Sequence, residues 1–134
     1  MIVADTNIIA YLLLPSPFSD EADKLYTLDP EWAAPTLWKS ELRNVLALYL
    51  RKGILALEQA LHLQESAESM LAGHEFDVPS SQVLSLAKQS GCSAYDCEVV
   101  ALALHLNVPL ITQDQKVLKA FPEAAMTVAD FLSR

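Results

Sequence analysis

Four acidic side chains occupy positions that are unusual for carboxylates in a folded chain. Asp5 directly follows the apolar run Ile2-Val3-Ala4, and Asp114 comes two residues after Leu110-Ile111-Thr112. Both runs are typical of buried strands. Either aspartate can cap the helix that follows it. Because ligands of parallel sheets bind beyond the carboxyl ends of the strands, both are also candidates for chemistry.

Glu41 and Asp96 lie inside the apolar stripes of two predicted helices. A lone buried carboxylate costs several kcal/mol unless it is paired, protonated or bound to metal. Two ordinary explanations stay open: Glu41 reaches solvent or a neighbouring cation, and Asp96 is a first-turn acid favoured by the helix dipole. Glu98 lies about 200° around the helix from Asp96 and is predicted to be a solvated surface residue. The stripe around Glu41 consists of Trp38, Leu42, Val45, Leu46 and Tyr49.

The four carboxylates can converge at one edge of a sheet with no accompanying set of histidine or cysteine ligands. Oxygen ligands of this kind suit Mg²⁺ or Mn²⁺ better than Zn²⁺. Carboxylates around such ions recur in phosphodiester cleavage, where metal activates water and neutralises charge on oxygen. Cys92 and Cys97 have no partner ligands nearby in sequence, so a zinc site is not favoured.

Short apolar strands alternate with amphipathic helices along the whole chain. This order predicts an α/β fold with a parallel sheet between two helical layers, as one domain over residues 1–134. Strands are predicted at residues 2–4, 32–34, 75–78, 108–112 and 126–128. Helices are predicted at residues 7–14, 19–28, 35–52, 57–72, 79–90, 93–107, 114–120 and from 129 onward.

Composition narrows the class of protein. The chain has 134 residues, of which 52% are hydrophobic and 19% charged, so disorder is excluded. A net charge of −8 argues against a protein that coats duplex nucleic acid with a broad basic face. The three glycines are too far apart for a phosphate-binding glycine loop. With no apolar run long enough for a membrane span, no basic signal region and two cysteines, a cytoplasmic protein with no membrane partner is expected.

Four sequence blocks together resemble the PIN-domain ribonucleases, and in particular the VapC-type toxins of toxin–antitoxin pairs. The blocks are DTN at 5–7, SELRNVL at 40–46, AYD with VVALA at 94–103, and PLITQD at 109–114. Their order and spacing extend the resemblance over essentially the whole chain. The resemblance implies a three-layer α/β/α PIN-like fold with a parallel sheet of four to five strands.

The resemblance also implies an activity, a Mg²⁺- or Mn²⁺-dependent endoribonuclease that leaves a 5′-phosphate by in-line attack of water. Asp5, Glu41, Asp96 and Asp114 match the acidic quartet of the family. Asp5, Asp96 and Asp114 would be metal ligands, and Glu41 would hold or help to activate the attacking water.

Two further positions match the family pattern, and one position departs from it. Thr112 would orient a ligand carboxylate, most naturally Asp5, and Asn7 would lie at the rim and contact substrate or the acidic residues. Some members carry another acid shortly after the fourth aspartate, whereas Gln115 and Lys116 stand here. The number of metal ions, one or two, is therefore open.

The resemblance implies an RNA substrate, a homodimer and a small antitoxin protein as partner. Residues 8–14 and the helix from Leu57 are candidate docking surfaces, although both can equally pack inside the fold. Lys39, Arg43 and Lys116 can contact phosphates or be ordinary surface cations. Trp38 can stack on a base, but its place in an apolar stripe favours the core.

Other functions remain open at this point. A haloacid-dehalogenase-like phosphohydrolase usually has a second aspartate at position 7, where this chain has Asn7. A non-toxin PIN nuclease in RNA maturation or turnover would have the same quartet. A non-catalytic metal- or partner-binding α/β module would show neither metal-dependent cleavage nor dependence on the four acids.

Overall fold

The computed structural model describes all residues from Met1 to Arg134 and contains one five-stranded sheet. All four strand pairings are parallel, and the spatial order is β3-β2-β1-β4-β5. The carboxyl ends of all five strands therefore face one edge. The strands are β1 Ile2–Ala4, β2 Trp32–Pro35, β3 Glu75–Phe76, β4 Leu110–Ile111 and β5 Ala125–Met126.

Eight helices connect and follow the strands. Ser93 caps one of them by accepting a hydrogen bond from the backbone N–H of Asp96, as its position in sequence predicts. Gly91 ends another in the left-handed region at φ 73°, a conformation that glycine adopts without strain. The helices are α1 Thr6–Leu13, α2 Ser19–Leu28, α3 Trp38–Arg51, α4 Leu57–Met70, α5 Ser80–Ser90, α6 Ala94–Leu106, α7 Gln115–Ala120 and α8 Val128–Leu132.

The alternation of side chains along the strands creates two hydrophobic layers. Ile2 and Ala4 of β1 belong to the core that α1, α2, α3, α4 and α8 share with one face of the sheet. Val3 points to the other face, where α6 and α7 supply most of the core. Successive residues of a strand point to opposite faces, so even a three-residue strand joins both layers. The three-layer α/β/α architecture predicted from the sequence is confirmed.

The predicted elements differ from the observed ones mainly at their ends. Pro35 was expected to open a helix, but it is the last residue of β2, and α3 begins at Trp38. Its backbone N–H is missing in either setting, so proline does not distinguish a strand end from a helix start. The strand predicted at residues 108–112 is only Leu110–Ile111, and the segment predicted as a final strand at 126–128 ends earlier because Val128 opens α8.

The first candidate docking surface, residues 8–14, is largely packed inside the fold, with Tyr11, Leu12 and Leu13 half-buried. Ile8 and Ile9 of α1 are fully buried in the core. By contrast, Leu57 and Leu61 of α4 are more than half exposed. No helix combines the length and the hydropathy that crossing a membrane requires.

Candidate active site

Asp5 lies at the junction of two central strands. Its backbone N–H donates to the carbonyl of Ile111 at 3.1 Å, which joins the end of β1 to the end of β4. Its side chain caps α1, with Oδ1 accepting from the backbone N–H of Thr6 at 2.8 Å. Oδ2 accepts from the hydroxyl of Thr112 at 2.7 Å. Both oxygens of Asp5 are therefore fixed, and the carboxylate cannot rotate freely.

Thr112 connects two of the four acids. Its side chain is completely buried, and its Oγ1 donates to Asp5 while accepting from the backbone N–H of Asp114 at 3.1 Å. Asp114 Oδ1 accepts from the backbone N–H groups of Lys116 and Val117, at 2.9 and 3.3 Å, and so caps α7. Asp5 and Asp114 thus both cap helices, and capping leaves their charge at the sheet edge.

Glu41 approaches this edge from α3. It is half-buried beside the fully buried Leu42, and its Oε1 accepts a hydrogen bond of 2.8 Å from the hydroxyl of Thr6. Lys39 does not pair with it, because the Lys39 ammonium lies 3.7 Å from a carboxylate oxygen of Glu75. The explanation of Glu41 as an ordinary ion-paired edge residue is therefore not supported. Thr6, which sequence reasoning did not single out, links α1 to Glu41, and nothing in local sequence indicates a contact across this separation.

Asp96 faces the same region from the first turn of α6. Its carboxylate is half-buried, and its charge helps to raise the pKa values of both Asp5 and Glu41. No basic side chain forms a salt bridge with Asp5, Glu41, Asp96 or Asp114. The edge therefore holds a group of like charges with no counter-charge in contact.

Burial and repulsion raise the pKa of Asp5 above its ordinary value. Loss of hydration is the largest cause, and the charges of Asp96 and Asp114 add to it. The hydrogen bonds from Thr112 and from the backbone N–H of Thr6 act in the other direction, because they stabilise the ionised form. Hydrogen-bond donors thus fix the orientation of the Asp5 carboxylate, while burial and the neighbouring acids disfavour its ionised form.

The pKa of Glu41 is raised for the same kinds of reason. Burial is the largest cause, the hydrogen bond from Thr6 lowers the pKa, and the charges of Asp5, Glu98 and Asp96 raise it. The presence of Glu98 among these charges corrects the prediction of a solvated surface residue. Glu98 is half-buried, and its own pKa is raised by burial and then by Asp77. Glu98 lines a cleft with Val83 and Leu84 of α5, so the packing of α5 on α6 limits its contact with solvent.

The acidic edge fits a metal ion in some respects and lacks one feature of a preformed site. The structure brings the four acids to one edge, within electrostatic reach of one another, but no three acidic, histidine or cysteine side chains form a ready-made ligand group. The donor chemistry nevertheless fits a hard divalent cation, since the available donors are carboxylate and hydroxyl oxygens. An uncompensated group of carboxylates is also the environment that a cation would relieve. The residues fit the ion in donor type and charge.

Asn7 lies next to this group but does not hydrogen-bond to it. Its Oδ1 atom is buried and has no hydrogen-bond partner. The side chain lines a cleft of about 200 Å³ between α1 and α3, together with Tyr11 and Tyr49. Tyr11 is near enough for the charge of Asp5 to raise its pKa, after the larger effect of burial. Asn7 therefore offers an unused acceptor beside the acids.

The remaining candidates from the sequence lie in the core or on the open surface, and none of them joins the group of acids. Trp38 is 1% exposed, and its indole N–H donates to Glu75 Oε1 at 2.7 Å, so it belongs to the core. Cys92 and Cys97 are free thiols in a small core cluster and form no metal-binding group. Arg43 and Lys116 are exposed cations at the surface.

Known proteins share both the sequence pattern and the fold. The chain is 27% identical over 124 residues to the ribonuclease VapC3 of Pyrobaculum aerophilum, covering 90% of this chain and 95% of that protein. The crystal structure of PAE2754 from Pyrobaculum aerophilum superposes with a TM-score of 0.79 at 22% identity, over 99% of this chain and 94% of the other. FitAcB from Neisseria gonorrhoeae superposes with a TM-score of 0.70 at 27% identity, over 96% and 99% of the two chains.

The family model described as the PIN domain matches residues 2–124, which include all four acids and both threonines of the site. This match spans most of the chain and agrees with the parallel sheet, the three layers and the acidic edge. The chain belongs to the PIN-domain family.

Proposed function

We propose that this protein is a divalent-metal-dependent endoribonuclease that hydrolyses RNA phosphodiester bonds. One observation carries the proposal: four carboxylates occupy the carboxyl edge of the sheet and pair with no basic side chain, and three of them, Asp5, Glu41 and Asp114, are held by hydroxyl or backbone donors. Such an arrangement lowers the stability of the fold, and selection keeps it only where it serves a function. The likeness to a VapC ribonuclease supports nuclease chemistry at this edge.

Asp5, Asp96 and Asp114 are the proposed ligands of Mg²⁺ or Mn²⁺. Asp5 is the central one, because the hydrogen bonds from Thr6 and Thr112 fix its orientation before any ion binds. Thr112 is the proposed positioning residue, since it touches Asp5 and the backbone of Asp114 together. A bound divalent cation would supply charge neutralisation at the scissile phosphate and a lowered pKa for water.

Glu41 is the proposed general base. Burial and nearby charges raise the pKa of Glu41 toward neutral pH, and this suits a group that must take a proton during the reaction. A water oxygen would attack phosphorus while Glu41 accepts a proton of the water, and the bond from phosphorus to the 3′-oxygen would break as that oxygen takes a proton from solvent. Products would be a 5′-phosphate and a 3′-hydroxyl. Asn7 would donate a hydrogen bond from its amide N–H to the substrate backbone, since its Oδ1 atom is buried.

The decisive experiment is cleavage of a structured RNA pool with Mg²⁺, Mn²⁺ or EDTA, after denaturing purification and refolding to remove any bound partner. Wild type is compared with Asp5→Ala, Asp96→Ala and the matched control Glu75→Gln. We expect cleavage only with metal, loss of cleavage in both aspartate variants, and retention in Glu75→Gln. Sequencing the ends of the fragments identifies the target and tests for a 5′-phosphate.

Two outcomes would contradict the proposal. Cleavage that survives EDTA or both aspartate substitutions would place the activity elsewhere or in a contaminant. Calorimetry measures the binding of Mn²⁺. Binding of the ion without cleavage of any RNA in the pool would favour a non-catalytic metal-binding module.

We further propose that the enzyme is a cytoplasmic toxin that forms a homodimer and is inhibited by a small antitoxin. The likeness to a VapC ribonuclease supports this role. The exposed Leu57 and Leu61 of α4, with the exposed Ile54 before them, offer an apolar docking surface. Expression should arrest bacterial growth in wild type but not in Asp5→Asn, and wild type should sediment as a dimer. Growth without arrest by an active enzyme would favour a role in RNA maturation or turnover.

A further inference from the structure

Tyr95 is the most exposed of the large apolar side chains. It is 65% exposed, whereas every other aromatic side chain in the chain is buried or half-buried. It takes part in none of the three hydrophobic core clusters. An aromatic ring of this kind contributes little to folding, because its surface stays in water. A single exposed ring is ordinary at a protein surface, and what it can bind depends on the groups around it.

The position of Tyr95 is as informative as its exposure. It directly precedes Asp96 in the first turn of α6, and it lines a shallow cleft of about 270 Å³ that also includes Glu41. The cleft thus opens beside two of the four acids at the sheet edge. The other residues that line it are Leu37, Ser40 and Asn44, all from α3 or the turn before it.

The lining of the cleft selects one type of ligand. It contains no basic side chain, and Glu41 gives it a negative charge, so it would repel a phosphate group. It does contain an aromatic face at Tyr95, an apolar wall at Leu37, and amide and hydroxyl groups at Asn44 and Ser40. An uncharged planar ring with polar edges matches these features. A nucleobase has such a ring and such edges.

We propose that Tyr95 is the stacking platform of a nucleobase subsite. In this subsite, the base of a nucleotide next to the scissile phosphate stacks on the Tyr95 ring, while Ser40 and Asn44 contact the edge of the base. The inference rests on the proposed ribonuclease function and deepens it, because it assigns the residue that holds the substrate base. Stacking tolerates all four bases, and any preference among them would come from Ser40 and Asn44.

The test measures RNA affinity in an Asp5→Asn background with Mg²⁺, so that binding is read separately from cleavage. The probes are a short fluorescein-labelled single-stranded RNA of random sequence and a matched oligomer with abasic riboses. Binding of each probe is measured by fluorescence anisotropy. Tyr95→Phe keeps the aromatic face, Tyr95→Leu keeps only apolar surface, and Leu28→Ala removes a side chain on α2 that is 64% exposed and serves as the matched control.

We expect Tyr95→Leu to weaken RNA binding about 10- to 100-fold, as for loss of base stacking, while Tyr95→Phe and Leu28→Ala stay within about twofold. Tyr95→Leu should also lose the preference for base-containing over abasic RNA. Three results would each overturn the inference. Tyr95→Leu could bind RNA as tightly as Tyr95→Phe, the Asp5→Asn protein that keeps Tyr95 could bind both probes equally, or it could bind neither probe.

Failure of the subsite and failure of the ribonuclease proposal give different results. If wild type cleaves RNA with metal and Tyr95→Leu cleaves it with an unchanged kcat/KM, the nuclease stands and the subsite is wrong. If RNA binds in a Tyr95-dependent way but no cleavage occurs in the wild type, the subsite stands and the nuclease is wrong.

Discussion

Glu41 and Glu75 both lie beside the first turns of α3, but their carboxylates have opposite electrostatic surroundings. Glu75 accepts a hydrogen bond from the Trp38 indole and lies 3.7 Å from the Lys39 ammonium. Glu41 accepts only from the hydroxyl of Thr6 and is repelled by Asp5, Glu98 and Asp96. One helix therefore supports one compensated acid and one uncompensated acid within the same two turns.

The difference supports a structural role for Glu75 and the proposed catalytic role for Glu41. Glu75 is held by the kind of donors that stabilise a folded chain, and its charge is balanced locally. The charge of Glu41 is opposed by burial and by like charges, so the folded state would be more stable without it. Sites that carry such a cost are where function is expected, because selection retains the charge for what it does.

The largest expected effect distinguishes the two regions by activity. Replacing Asp5 or Asp96 by asparagine, or Glu41 by glutamine, should lower kcat/KM for RNA cleavage by about 10³-fold, because a group that acts in the transition state is lost. Glu75→Gln should stay within about threefold of wild type. The measurement is initial cleavage rate on a mapped target with saturating Mg²⁺. A loss in Glu75→Gln as large as in Glu41→Gln would remove the distinction between the two glutamates.

The fold was more predictable from sequence than the site. Short apolar runs, one alternating segment at residues 75–78 and helical patterns predicted the strands and helices, since burial of apolar side chains leaves a direct trace in sequence. The errors at Pro35 and at the ends of β4 and β5 arose because short strands are fixed by hydrogen bonds to neighbours that sequence does not show.

The positions of the four acids were predictable, but their interactions were not. Strand ends and helical stripes place Asp5, Glu41, Asp96 and Asp114 at one edge. The contact of Thr6 with Glu41 joins residues 35 apart in sequence, and the burial of Glu98 depends on how α5 packs on α6. Both depend on tertiary packing, which a single helix or strand pattern does not determine.

The next effect in size comes from pH. The pKa values of Asp5 and Glu41 are both raised, so protonation should begin at a higher pH than for ordinary aspartate and glutamate. In the proposed mechanism both groups must be ionised, Asp5 to bind metal and Glu41 to take a proton, so activity should fall as pH decreases from neutral, starting at a higher pH than ordinary carboxylates would give. The check is a profile of kcat/KM against pH at saturating Mg²⁺. A flat rate from pH 8 to 5 would contradict the assignment of Glu41 as a base.

A smaller effect is expected from the group that holds Asp5. Thr112→Val keeps the shape of the buried side chain but removes the hydrogen bonds to Asp5 and to the backbone of Asp114. Activity should fall about 10- to 100-fold, as for loss of an outer contact to a metal ligand. Thr112→Ser should restore most of it, because the hydroxyl returns. An equal loss of activity in the valine and serine variants would mean that packing, rather than the hydrogen bond, is what Thr112 contributes.

The smallest effect tests the comparison through stability, where the two glutamates should respond with opposite signs. At neutral pH, Glu41→Gln should raise the free energy of unfolding by about a few tenths of a kcal/mol, since a disfavoured charge is removed but solvent screens part of it at this half-buried position. Glu75→Gln should lower it by about 0.5–1 kcal/mol, since an ion pair is lost.

The folded state binds the Glu41 proton more tightly than the unfolded state, so the wild type gains stability relative to Glu41→Gln as pH falls through the raised pKa. The advantage of Glu41→Gln in urea unfolding should therefore shrink between pH 7 and 4. An advantage that grows on acidification would show that the charge of Glu41 stabilises the fold, and Glu41 would then be a structural acid like Glu75.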